Sequence, residues 1–184
     1  MKIIITAFLV ILSCSVSRAG ERELSSLTKA SLSFRLESST IPYHYPHTVL
    51  AFLNLANKHD SDLTWASISP LGIEAEVFDA KGNQVPQSAA AASISYAWQI
   101  YRLPFGSSLD WLVSSGGLSL MGDPKTNAAL VVGGRGWMLP LETLSSYSVV
   151  IRVRGIPSAH SVAGIDKQST KVLFETARTN IVIR

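Results

Sequence analysis

The sequence predicts an all-β protein, an antiparallel β-sandwich with an irregular insertion between its two halves. Three observations lead there. Short segments alternate apolar and polar residues with a period of two, turn residues separate them, and nothing beyond the first twenty residues sustains a helical period. Sheets built from such segments must bury their apolar faces against one another.

The segment before the first strand reads as an address. Met1-Lys2 is a short positive start, Ile3 to Leu12 is mostly apolar, and Ser17-Arg18-Ala19 puts small residues at −3 and −1. That is the pattern of a secretory signal peptide, and the run is shorter than the roughly 20 residues a spanning helix needs. We therefore expect residues 1–19 to be a signal peptide, 20–30 a mobile N-terminal segment and 31–184 one sandwich domain. The single cysteine, Cys14, opens a second route, because Ile11-Leu12-Ser13-Cys14 resembles the lipobox of bacterial lipoproteins. Cleavage there would leave a lipidated Cys14 as the mature N-terminus. Cleavage after Ala19 removes 19 of the 184 residues and leaves 165 without a thiol. Either way the folded domain has no disulfide, and a chain of this size can bury enough surface to manage without one. No Asn-x-Ser/Thr sequon occurs. The expected location is the bacterial periplasm or cell surface, with membrane contact only through a lipid anchor at Cys14.

The strands follow in order. Ser31 to Glu37 sets Leu32, Phe34 and Leu36 on one face against Ser33, Arg35 and Glu37 on the other. Thr48 to Leu55 is nearly continuously apolar, which suits a central strand covered on both faces. Lys58 to Asp62 is a turn, and Leu63 to Ile68 the returning strand, where Trp65 is placed to be a core tryptophan. Ile73 to Phe78 alternates again, with Glu74 and Glu76 outward. Asp79 to Asn83 is a hairpin turn because Gly82 can take positive φ, and Gln84 and Val85 begin the next strand. Later, Tyr147 to Val153, Lys171 to Thr176 and Asn180 to Ile183 complete the pattern. The order of segments over residues 30–85 and 137–184 resembles an immunoglobulin-like sandwich, although its usual disulfide is absent.

Residues 86–138 form the insertion. It opens with Ser88 to Ala92, suited to a loop or one helical turn, and continues as a strand over Ser95 to Leu103 carrying Tyr96, Trp98, Ile100 and Tyr101. Then come Pro104-Phe105-Gly106, a segment Leu109 to Leu120 with Trp111, the turn Gly122-Asp123-Pro124, and a strand Ala128 to Val132 ended by Gly133-Gly134-Arg135-Gly136. Structureless connections beyond about 15 residues are uncommon, so this stretch reads as extra strands plus an elaborated loop. Loops on a rigid scaffold carry most binding work.

The sequence argues against several kinds of chemistry. The full chain has 16 Lys and Arg against 13 acids, and losing Lys2 and Arg18 with the leader leaves 14 against 13. Arg152 with Arg154 and the isolated Arg135 make no basic stripe of the kind nucleic acid requires. His44 and His47 are three apart with Pro46 between them, so in an extended segment they point to opposite faces and do not converge on a metal. No G-x-S-x-G elbow exists, and Ser26-Leu27-Thr28-Lys29 lacks companion motifs. Glu74 and Glu76 would need an enclosed cleft to act as an acid–base pair. Gly133 to Gly136 could form an anion-binding nest, or simply a turn. The expectation is therefore no enzyme activity, no cofactor and no nucleic-acid partner.

Four tryptophans support two readings of the insertion. Trp98, Trp111 and Trp137, with Tyr96 and Tyr101, either pack the insertion onto the sandwich or present aromatics to a partner. The candidate binding residues are Trp98, Tyr101, Trp111, Arg135 and Trp137. The leading expectation is an exported interaction protein that binds an envelope protein partner, in one form as an inhibitor or immunity protein. The alternative is a carbohydrate- or cell-wall-binding module that stacks polysaccharide on the tryptophans. A free sheet edge could also accept a partner's strand, with Asn180 to Ile183 the natural candidate.

Overall fold

The computed structural model describes residues 28–38, 47–69, 72–90, 97–114, 125–159, 161, 163–164 and 169–182. The leader, Cys14, His44, Tyr96, residues 115–124 and His160 lie outside the described residues, as do most of the expected N-terminal segment and the last residues of the chain.

In chain order the strands are β1 (Thr28–Ser38), β2 (His47–Asn57), β3 (Leu63–Ser69), β4 (Ile73–Phe78), β5 (Ala89–Ala90), β6 (Ala97–Leu103), β7 (Ser108–Leu112), β8 (Asn127–Val132), β9 (Arg135–Pro140), β10 (Ser148–Pro157), β11 (Lys171–Glu175) and β12 (Thr179–Asn180). They form two six-stranded sheets. Sheet one runs β1-β2-β8-β9-β5, with β7 pairing the far half of β2. Sheet two runs β11-β10-β3-β6, with β4 and β12 also along β10. Among the described residues all strand pairings are antiparallel except β2 with β8, which run parallel through Thr48–Ala129 and Val49–Leu130. The all-β sandwich is thus present, built mainly from antiparallel pairs. Its strand order does not by itself establish the immunoglobulin-like topology.

Period-two patterning sets which face goes inside. Leu32 and Phe34 of β1 are buried while Ser31, Ser33, Arg35 and Glu37 are outside or half-covered. β2 is central in its sheet, yet only Val49, Ala51, Leu53, Leu55 and Asn57 are buried, and the intervening Leu50, Phe52, Asn54 and Ala56 are half-buried. Its outer face is therefore less covered than its apolar sequence suggests. Trp65 is fully buried, as its position predicts, among Val77, Val149, Ile151 and Val153 of sheet two and Leu53, Leu55, Leu130 and Trp137 of sheet one. Each such side chain contributes about 1.5–3 kcal/mol by leaving water.

Several element bounds differ from the sequence reading for identifiable reasons. β1 begins at Thr28, so residues 28–30, expected in the mobile segment, pair with Leu55 to Asn57. The turn after β4 forms as expected, with Gly82 at φ 83° and the Asp79 carboxylate accepting from the Lys81 and Asn83 amides. The strand expected from Gln84 does not continue. Gln84 makes one bridge to Phe78, the Val85 amide donates to the Val77 carbonyl, and Pro86 then has no N–H to extend the ladder. The chain crosses to sheet one, where Ala89–Ala90 pair with Arg135 and Gly136. β10 runs past Val153 because it changes partner, pairing β4 up to Val153 and β3 from Ile156. Between β9 and β10 a short 3₁₀ helix, Leu141–Ser146, pins Leu144 into the core.

The 86–138 stretch is woven into both sheets. It supplies β5 to β8 and the start of β9, with β7 and β8 sharing one side of β2 and β6 closing the side of sheet two. The crossing from β6 to β7 is an arch, Pro104 to Ser107, that joins the sheets at one lateral edge of the sandwich.

Candidate functional site

The five candidate binding residues fall in three separate places. Tyr101 and Trp111 face inward from β6 and β7. Tyr101 stacks on buried Trp65 with centroids 5.3 Å apart and planes 12° from parallel, and Trp111 lies 4.9 Å from Tyr101. Trp65 in turn meets Phe174 edge-on at 5.1 Å. These rings form one aromatic column through the edge of the core, in which Tyr101 and Trp111 are half-buried and packed against it.

Arg135 and Trp137 sit at the opposite end of sheet one, on β9. With Ala75, Glu76, Gln84, Val85, Pro86 and Gln87 they line a cleft of about 310 Å³. Trp137 is buried beneath it and donates its indole N–H to the Val85 carbonyl at 3.3 Å. Arg135 is exposed and follows Gly133 and Gly134, whose φ values of 59° and 76° make the two-residue hairpin turn between β8 and β9. The glycines are buried as turn residues. Glu76 is committed to Arg152, whose guanidinium also binds Glu175, with distances of 2.9 and 2.5 Å. These two carboxylates hold the Arg152 pKa above its ordinary value, Glu76 contributing most. Glu74 lies 3.9 Å from Arg154. Glu74 and Glu76 thus belong to a charge ladder across β4, β10 and β11 on the outer face of sheet two.

Trp98 is the third place. It lies half-buried on the outer face of β6, beside Ile68 in the register with β3, and Ile100 follows two residues on. Three of the large apolar side chains most exposed among the described residues fall between β6 and the end of β7: Ile100 at 45%, Phe105 at 63% and Leu112 at 47%. Ile100 is on the outer face of sheet two, Leu112 on that of sheet one opposite Phe52, and Phe105 at the arch between them. Sequence reading missed these three because it weighed tryptophans. The available signal was an apolar Phe in a Pro-Phe-Gly turn, where burial is unusual.

The arch is firmly held. Asp62, just before β3, accepts from Arg102 Nε and from the Phe105 amide, both at 2.9 Å. The Phe105 amide above all, and Arg102 after it, hold the Asp62 carboxyl below its ordinary pKa. Asn57 is buried and reaches across the same gap, its amide donating to the Leu103 and Pro104 carbonyls at 3.0 and 3.1 Å while its oxygen accepts from the His59 amide at 2.9 Å. Phe105 is therefore presented on a fixed backbone.

β6 ends the path of sheet two among the described strands. Its seven residues pair with β3, and no other described strand pairs with it. At the edge expected at Asn180 to Ile183, β12 pairs with β10, Ile181 is fully buried and its amide donates to the Tyr147 carbonyl at 2.9 Å, while Ile183 lies outside the described residues. The other long edge strand, β1, exposes Lys29, Arg35 and Glu37, charges of the kind that discourage edge pairing. β6 carries one charge, Arg102, which Asp62 engages. No protein-family description and no curated protein sequence matches this chain.

Proposed function

We propose that this chain is an exported β-sandwich that binds a protein partner in the bacterial envelope, docking through the arch between β6 and β7. Neutralising an envelope enzyme, as an inhibitor or immunity protein does, is one form such binding takes. The observation that supports this reading is Phe105, the most exposed large apolar residue among those described, on an arch fixed by Asp62 and Asn57. Rigidly presented aromatics lose little entropy on binding and serve as anchors. Export is supported by the leader pattern of residues 1–19.

The glycan alternative draws no support from a platform of rings, because Trp98, Trp111 and Trp137 lie in three different places and Trp137 is buried. The test is a photo-crosslinking residue at position 105, compared with one at Arg35 on β1, in cells with an intact envelope. A heterologous protein adduct at 105 that is absent at 35 is the expected result, and equal labelling or none at both positions overturns the proposal.

A further inference from the structure

We infer that the cleft between β4 and β9 is a binding site for a small carboxylate, held by Arg135 over an apolar floor. It lies where the chain leaves sheet two after the Gly82 turn and crosses to pair with β9 of sheet one. Ala75, Val85, Pro86 and Trp137 give it apolar walls and a floor, while Gln84, Gln87 and Arg135 bring hydrogen-bonding groups. Its volume of about 310 Å³ is at the lower end of the roughly 300–1,000 Å³ of ligand sites, which suits one compact group rather than a polymer.

The walls are fixed by the protein's own bonds. The Val85 amide donates to the Val77 carbonyl at 2.8 Å, and the Val85 carbonyl accepts from the Trp137 indole at 3.3 Å. Ser88 is held twice on β9, its amide donating to the Gly136 carbonyl at 2.8 Å and its Oγ accepting from the Met138 amide at 2.9 Å. Pro86, with φ set by its ring, lies between these anchors. The wall that carries Gln84 and Gln87 is therefore ordered in advance, and a ligand is spared the cost of ordering it. Arg135 enters from the other wall, placed by the Gly133–Gly134 turn and by its pairing with Ala90.

Charge selects the ligand. Arg135 and Glu76 are the charged side chains of the lining, and Glu76 is bound to Arg152 at 2.9 Å. The attraction on offer is that of Arg135, whose guanidinium stays protonated and presents a planar fork that matches two carboxylate oxygens. The Gln84 and Gln87 amides add donors and acceptors for a neighbouring polar group. Phosphate fits less well, because the Glu76 carboxylate repels a dianion about twice as strongly as a monoanion. Gly133 and Gly134, whose amides would cradle a phosphate, are both left-handed turn residues and are not part of the lining. The ligand class is thus a monocarboxylate on a short apolar body. A free organic acid and the C-terminal residue of a peptide both present that chemistry. None of the arch residues lines the cleft, so this site and the partner surface stand or fall separately.

Nuclear magnetic resonance of the isotope-labelled chain tests the site through the Trp137 indole N–H and the Arg135 Nε–H. N-acetyl-leucine should shift both signals saturably. N-acetyl-leucinamide, which has the same body without the charge, should bind at least about tenfold more weakly, and inorganic phosphate should also bind more weakly than the acid. Arg135→Gln should weaken the acid about tenfold or more, and Arg135→Lys, which keeps the charge and loses the fork, should fall between it and the parent. Arg135 is exposed, so both variants should fold, and an unshifted Trp137 indole signal without ligand verifies that. A hexapeptide ending in leucine that binds more tightly than N-acetyl-leucine assigns the site to chain ends, and one that binds more weakly assigns it to free acids. Acid and amide binding alike, phosphate binding more tightly than the acid, Arg135→Gln binding as the parent does, or no shift from acid or peptide each overturns the inference. A missing adduct at position 105 would instead overturn the partner reading and leave this one standing.

Discussion

Asp62 shows how one exposed carboxylate can organise a surface. It holds Arg102 and the Phe105 amide together, and both contacts favour its ionised form. Folding lowers its pKa, so near pH 3.8 the unfolded chain binds more protons at this site than the native one. Its stabilisation is complete above that pH and fades as the pH falls below it. Asp62→Asn should lower Tm at pH 7, and the gap from the parent should narrow as both are measured down to pH 3. A gap that stays constant with pH would show that the contact is not electrostatic. Asn57 acts beside it without charge. Its four partners are backbone groups, His59 and Ser61 in the turn that follows it and Leu103 and Pro104 at the end of β6, and no local sequence signal announces the second pair.

Among elements, β10 carries the most, since four other strands of sheet two pair along it. Its change of partner occurs at Gly155, where a Cβ would overlap the Ala66 carbonyl oxygen. Ser67 Oγ donates to the Arg154 carbonyl at 2.7 Å and fixes the same crossing. Gly155→Ala should force β3 and β10 apart and cost about 1–3 kcal/mol, the usual size of overpacking in a well-packed site. Chemical denaturation would measure it, and an unchanged midpoint would show that the strands can separate freely. Buried hydroxyls complete the ladders elsewhere. Ser114 Oγ accepts from the Ala51 amide where β7 ends, and Thr176 Oγ1 from the Ile151 amide where β11 ends, both at 3.0 Å.

At the scale of the whole molecule, the two sheets divide the aromatics by role. The column Trp65–Tyr101–Trp111 ties sheet two to sheet one at the β6–β7 edge, while Phe105 and Ile100 face water at that same edge. Trp111→Ala should lower stability by about 2–4 kcal/mol, somewhat less than for a fully buried ring, because Trp111 is half-covered. Ile100→Lys should change it by no more than about 0.5 kcal/mol, as surface substitutions usually do. Thermal unfolding of the two variants side by side checks the division. Equal losses would mean that Ile100 is as structural as Trp111.

Period-two patterning alone determined the all-β class, the inward faces of β1 and β4, the Gly82 turn and the core position of Trp65. These depend on neighbours in sequence, through strand alternation and the conformational freedom of glycine. The candidate site was legible only in part. The sequence pointed to residues 86–138 but did not show that Tyr101, Trp111 and Trp137 pack against the core while Phe105, Ile100 and Leu112 are exposed. Composition says that a ring is present but not which face of its strand meets the other sheet. Tertiary pairing decided that the C-terminal strand joins β10, that β7 and β8 share β2, and that Asp62 and Asn57 fix the arch. Those outcomes rest on contacts between residues some 40 or more positions apart, such as Arg102 with Asp62 and Asn57 with Leu103, and no local pattern encodes them.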